Sequence, residues 1–209
     1  MATTRISRSE RKARTREELL VAARRVFLRR GFHGATLEEI ADEAGYTKGA
    51  VYSNFAGKDD LYLALLDAHY DGRVEAYAEM MLDETTFEDA VSAVGRFMAE
   101  SDARDPDWLP TLAEFVAHAA RDESLRRAYV RTRERFLVAI ADVIRALCDR
   151  HDLTLLVPPL EAARASSMLA RGYSAERRLD PDAVSSQIFV ELHAAFMRGL
   201  TVPRERSHT

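Results

Sequence analysis

Between Gly31 and Leu61 the chain reads GFHGATLEEIADEAGYTKGAVYSNFAGKDDL, a stretch rich in small residues and hydrogen-bond donors. Lys48 can donate to the N7 and O6 acceptors that a guanine shows in the major groove. Gly49 and Ala50 beside it are small, so the backbone can lie close to another surface, and Ala50 can touch a thymine methyl group. Thr36 and Thr47 stand at helix starts, where hydroxyls and free N–H groups suit phosphates. Tyr52, Ser53 and Asn54 follow on the same short helix, and Lys58 is within reach of a phosphate. The chemistry on offer is recognition of a polyanion. The whole chain has no Gly-x-Ser-x-Gly, no phosphate loop ending in Gly-Lys-Ser/Thr and no His-Glu-x-x-His, so no enzyme activity, cofactor or metal is expected. Asp105-Pro106-Asp107 and Asp180-Pro181-Asp182 read as helix caps rather than metal ligands.

These side chains need elements to hold them, and the pattern supplies helices. Thr15-Arg16-Glu17-Glu18 has the capping-box form, so a first helix is expected from there, with Leu19, Leu20, Ala23, Val26 and Phe27 at helical spacing and Gly31 as its stop. Thr36 caps a second helix, Leu37 to Ala44, again as a capping box, and Gly45 makes the sharp turn into a third that starts at Thr47 and reaches about Asn54. Ile40, Ala41, Val51 and Phe55 face inward. Lys48, Gly49, Ala50, Tyr52 and Ser53 are left on the outer side, the side that fits a major groove. A longer helix runs from Asp60 towards Leu82. Further starts are expected at Thr86, Asp105-Pro106, Asp122, Pro158-Pro159 and Asp180-Pro181, giving an all-α chain of about nine helices. The first dozen and last half-dozen residues are expected to be disordered.

Charge divides the chain in the same place. The first 58 residues carry 12 Lys and Arg against 7 Asp and Glu, and the remainder 18 against 27. A basic head on an acidic body points to a polyanion at the head. Arg5, Arg8, Arg11, Lys12 and Arg14 would form a basic arm along a DNA backbone or in a minor groove, adding affinity and little sequence information.

The order Gly31-Phe32, Thr36, Ile40-Ala41, Ala44-Gly45, Gly49, Tyr52, Phe55, Lys58 and Leu61 resembles the DNA-binding domain of TetR-family transcriptional regulators. The resemblance implies a three-helix DNA-binding domain over residues 1–58 and a larger helical effector-binding and dimerisation domain over 59–209. It also implies DNA contacts by Thr36, Thr47, Lys48, Tyr52 and Lys58. Asn54 departs from the pattern, since many members carry Tyr or His there and Asn is shorter.

In the larger part, one predicted helix carries small residues (Ala163, Ser167, Ala170) and the last a broad apolar face (Ile188, Phe189, Leu192, Phe196), and the resemblance implies that these two helices pack against a second copy. A twofold homodimer would then set two recognition helices ~34–36 Å apart on a palindromic double-stranded operator. The resemblance also implies an effector pocket among the central helices, where polar groups interrupt apolar stripes, so a small, mostly apolar effector is expected among Met98, Trp108, Phe115, His118, Tyr129, Thr132 and Arg133. The implied function is a ligand-responsive repressor; the rival readings are a helical adaptor, or a redox sensor at Cys148, the one cysteine. No apolar run approaches the ~18 residues of a membrane span, and no signal-peptide stretch opens the chain, so a cytoplasmic protein is expected.

Overall fold

The computed structural model describes residues 7–182 and 184–204. Among them are nine α-helices and one short ribbon: α1 (Arg8–Gly34), α2 (Leu37–Ala44), α3 (Lys48–Tyr52), α4 (Lys58–Asp83), α5 (Phe87–Arg104), α6 (Trp108–Ala119), α7 (Glu123–Arg150), β1 (Leu153–Leu155), α8 (Pro159–Leu179), α9 (Ser186–Gly199) and β2 (Thr201–Pro203). The chain divides into two compact units, Met1–His69 with Pro110–Thr132, and Tyr70–Leu109 with Arg133–Thr209.

The first unit is built around an aromatic cluster. Phe27, Phe32, Tyr62 and Phe115 are fully buried. The Tyr62 ring stacks on Phe115 at 4.5 Å and meets Phe27 edge-on at 5.0 Å, while Phe32 meets Tyr62 and Phe115 at 5.3 and 5.2 Å. Offset and edge-on contacts of this kind add to the burial energy of the rings. Leu19, Val26, Ile40, Ala41, Val51 and Phe55 complete the core, so the inward faces read from the sequence are the inward faces of the fold.

The first helix starts a full two turns before Thr15. Ser7 caps it: its hydroxyl accepts the Glu10 N–H at 3.1 Å, and the Glu10 carboxylate accepts the Ser7 N–H at 2.6 Å. Ser7-Arg8-Ser9-Glu10 is thus the working capping box, and Thr15 lies inside the helix. The two boxes have the same spacing, and no Gly or Pro stands between them to halt the helix. Arg8, Arg11, Lys12 and Arg14 therefore project from helical turns rather than from a disordered arm; Arg5 lies outside the described residues. Gly31 is the expected break, with φ 71° and ψ 173°, although a last helical turn follows it.

The second unit buries Val91, Val94, Leu137, Ile140, Ile144, Leu147, Ala162, Ala163, Ala194 and Met197 in one core. α5 and α9 approach closely where Gly95 faces the Val190 backbone: a Cβ there would lie 3.4 Å from Val190 Cα. Two caps differ from expectation. Asp105 and Asp180 end α5 and α8 instead of starting the next helices. α6 begins at Trp108, and α9 is capped by Ser185, whose hydroxyl accepts the Ile188 N–H at 3.2 Å. An Asp-Pro pair suits a helix end as well as a start, because Pro cannot continue a helix. The ribbon was not foreseen. Asp152, at φ 52°, turns the chain after α7, and Leu153–Leu155 pairs antiparallel with Thr201–Pro203. Three-residue strands are too short to show alternation in sequence.

Candidate nucleic-acid interface

α2 and α3 cross through a turn at Gly45, which has φ 72° and ψ 27°. Its N–H and that of Tyr46 close the end of α2, Tyr46 N–H reaching Ala41 O at 2.9 Å. A left-handed residue at this place is what the tight turn requires, and glycine supplies it without a clash. Thr36 and Thr47 cap the two helices, their hydroxyl oxygens accepting the Glu39 and Ala50 N–H groups at 3.1 and 3.3 Å. Each hydroxyl keeps its own hydrogen to donate. Glu39 does not complete a box with Thr36; its carboxylate turns to Arg29 and Arg30 of α1.

Thr36, Thr47, Lys48, Gly49, Tyr52 and Ser53 are exposed, and Ala50 is half-buried. Tyr52 is 52% exposed, so it is available to a partner rather than packed. The Ser53 hydroxyl donates to Ala50 O at 2.8 Å. Lys48 is bonded to Glu38 of α2, and its ammonium lies 5.8 Å from the Tyr52 ring centroid. That bond raises the Lys48 pKa and lowers that of Glu38, so both are charged.

Two of the expected DNA ligands are committed inside the unit. Lys58 donates to Phe32 O, His33 O and Ala35 O at 2.9, 3.3 and 3.1 Å, and its ammonium sits over the Phe32 ring. An ammonium has three N–H donors, so this set satisfies all of them and closes the carbonyls left open by the break at Gly31. Asn54 turns its amide back to Ala50 O at 2.8 Å and Ser53 Oγ at 3.2 Å. The Asn54 backbone carbonyl accepts from Arg16, whose guanidinium lies over the Phe55 ring.

The charge on α2 is the feature that reading by donors missed. Glu38, Glu39, Asp42 and Glu43 make α2 acidic, which would repel a phosphate backbone. Arg25, Arg29 and Arg30 of α1 reach Glu39 and Glu43 at 3.0–3.7 Å and neutralise them from α1. Arg29 and Glu43 stand on separate helices, so helical spacing gives no sign of the pair. Arg8, Arg11, Lys12 and Arg14 are exposed near the start of α1 and supply net positive charge.

The residues expected around an effector fall into both units. Phe115 belongs to the aromatic cluster, so it is core. Tyr129 is buried, edge-on to Phe115 at 6.0 Å, and its hydroxyl finds no partner among the described residues. His118 is partly exposed, its Nε2 3.3 Å from Asp59. Thr132 and Trp108 are buried and Arg133 half-buried. Met98 lines a crevice in the second unit with Tyr77, Val94, Ile140, Ser166 and His193. His193 is deeply buried, with Nδ1 3.3 Å from Val91 O and Nε2 2.9 Å from Ser166 Oγ. Burial pushes its pKa down, so it is held neutral, with Nδ1–H donating to the carbonyl and Nε2 accepting from Ser166.

On α8 and α9 the interface expectation divides. Ala163 and Phe189 belong to the subunit's own core, Phe189 stacking on Tyr173 at 4.2 Å. The apolar face of α9 is broader than one stripe, so sequence alone could not separate its inner from its outer residues. Ser167, Ala170 and Phe196 are half-buried, and Ile188 and Leu192 exposed. Met168, Leu169 and Leu179 of α8 are exposed too and were not singled out. Cys148 is buried, and burial, then Asp149, raises its thiol pKa, which disfavours the reactive thiolate. No helix among the described residues is long and apolar enough to cross a membrane.

Known proteins match this arrangement at two levels. The family model for bacterial regulatory proteins of the tetR family matches residues 19–65. The HTH-type transcriptional activator FasR of Mycolicibacterium smegmatis is 42% identical over 81 residues, covering 39% of this chain and 35% of FasR. The HTH-type transcriptional repressor AcnR of Corynebacterium diphtheriae is 32% identical over 115 residues, 55% of each chain. The chain thus spans about a third to a half of the length of these relatives. The structure of Thermus thermophilus FadR, a TetR-family transcriptional repressor in complex with lauroyl-CoA, matches with a TM-score of 0.67 at 20% identity, over 93% of this chain and 98% of that one. The match to the tetR-family model thus covers the helix-turn-helix, and over nearly its whole length the chain has the fold of the Thermus FadR structure.

Proposed function

We propose that this chain is a DNA-binding transcriptional regulator that grips a palindromic operator as a homodimer and is released by a small, mostly apolar effector. The observation that carries the reading is the joint exposure of Thr36, Thr47, Lys48, Gly49 and Tyr52 around two helices joined at Gly45. α3 enters the major groove, its first turn at the base edges, and the cationic start of α1 follows the backbone. Repression is adopted because AcnR and the Thermus FadR are repressors; FasR is an activator, and direction is a matter for the promoter.

The second copy is supported by the apolar side chains left in solvent on α8 and α9: Met168, Leu169, Leu179, Ile188 and Leu192. Exposed apolar side chains clustered on neighbouring helices mark an interaction surface. The effector reading is supported by the crevice lined by Met98, Tyr77, Ile140 and His193. At about 20 Å³ it has room for about one water. A ligand must therefore push helices apart to enter, and Met98 and Met197 are the flexible side chains that can yield. An apolar molecule suits the lining, with the Ser166–His193 pair as its polar anchor. Such a ligand shifts the population to the DNA-free state only if it binds that state better.

A mobility-shift titration on the DNA upstream of the chain's own coding sequence tests the reading. Salt-sensitive binding of two subunits per site is expected. Absence of binding to that DNA and to every member of a random duplex pool would leave the adaptor reading in its place.

A further inference from the structure

The ion pair between Lys48 and Glu38 has a consequence for which sequences are read. Lys48 is the first residue of α3 and Glu38 the second of α2, and their side chains are 50% and 56% exposed. Because the two are bonded, Glu38 arrives wherever Lys48 does. Glu39 and Glu43 differ, since α1 arginines hold them.

Against a phosphate the pair is a liability. Lys48 must leave Glu38, and the freed carboxylate then stands beside a like charge. Against a base pair nothing needs to break. Lys48 keeps two donors after bonding Glu38, and Glu38 keeps an accepting oxygen. In the major groove a G·C pair shows N7 and O6 acceptors on guanine and, next to O6, the N4 amino donor of cytosine. That order matches an ammonium and a carboxylate side by side. Thymine in place of guanine offers the lysine one acceptor and a methyl group, and adenine puts its N6 donor where O6 was.

We infer that Glu38 and Lys48 read one G·C base pair per half-site as a unit, Lys48 on guanine and Glu38 on the cytosine amino group, and that Glu38 holds the protein off non-cognate DNA. The inference rests on the operator-binding reading above and names a specificity-determining residue within it.

The test selects a best site for the wild-type chain from a random duplex pool, then measures the affinity of every single-base-pair variant by fluorescence anisotropy. Wild type, Glu38→Gln and Asp42→Asn are compared, each checked for fold by circular dichroism. Asp42 is also exposed on α2, one turn on, so its variant makes the same charge change without touching Lys48. One G·C pair per half-site is expected whose change to T·A weakens wild type about tenfold or more. In Glu38→Gln that penalty falls below about threefold, the other positions keep theirs, and random duplex binds at least about threefold tighter. Asp42→Asn tightens random binding and leaves every preference in place. The inference is overturned by unchanged preferences in Glu38→Gln, by an A·T pair at the sensitive position, or by equal behaviour of the two variants. If wild type binds no duplex in a salt-sensitive way, the operator-binding reading fails, and the inference with it.

Discussion

Replacing Gly31 by alanine tests how the chain is redirected from α1 into α2. Gly31 has φ 71° and ψ 173°, a conformation essentially reserved for glycine. Holding an L-residue there costs on the order of 1–3 kcal/mol. The new Cβ would also lie 2.7 and 2.8 Å from the two Glu114 carboxylate oxygens. That carboxylate accepts the His33 N–H at 3.2 Å, so moving it aside loses a hydrogen bond, about 1 kcal/mol at this exposed place. Together the loss is about 2–4 kcal/mol. At roughly 2–4 °C per kcal/mol for a chain of this size, the melting temperature should fall by about 4–16 °C, read by circular dichroism. Glu114→Ala separates the two terms. In the wild-type background it removes only the hydrogen bond; beside alanine at 31 it also relieves the collision, so the double variant should be more stable than the sum of the singles predicts. Gly31→Ala melting within about 2 °C of wild type would refute the strain argument, and strictly additive singles would refute the collision.

Lys58→Met leaves three carbonyls without their donor and should lower stability by about 1–3 kcal/mol; unchanged stability with weakened DNA binding would instead make Lys58 a phosphate ligand. Ile188→Asp with Leu192→Asp places charge on the exposed face of α9, so sedimentation velocity should show a monomer of unchanged helicity; a persisting dimer would place the interface elsewhere. His193 is held neutral by burial, its pKa below the usual 6.5, so the unfolded chain binds its proton more readily. The stability this represents is present above about pH 6.5 and is lost as pH falls towards the depressed value. In denaturant titrations His193→Gln should flatten that slope; an equal slope in the variant would assign it to other groups.

Much of the fold was legible because its punctuation is local. Thr36, Gly45, Thr47 and Thr86 act on backbone groups within a few residues, and each stands where the sequence put it. Ambiguity entered where one local signal has two uses. Ser7 and Thr15 head equal capping boxes, and Asp-Pro pairs fit either end of a helix. At the site, exposure of Lys48 and Tyr52 follows from helical phase once Val51 and Phe55 are inside. The commitments of Lys58 and Asn54 do not, because their partners depend on the break at Gly31 and on the short length of α3. Nor do the pairings of Glu38 with Lys48 and of Glu39 and Glu43 with the α1 arginines, which join residues nine or more positions apart. For α9, phase alone could not split an apolar face between a subunit's own core and solvent.

Footprinting of the chain on a selected duplex, repeated across salt concentration, tests the central claim most directly. The account predicts protection of two half-sites with dyad symmetry, centred ~34–36 Å apart in the major groove. It also predicts that log affinity falls linearly with log salt, as cation contacts to phosphate require. Protection without dyad symmetry, or affinity indifferent to salt, would contradict it.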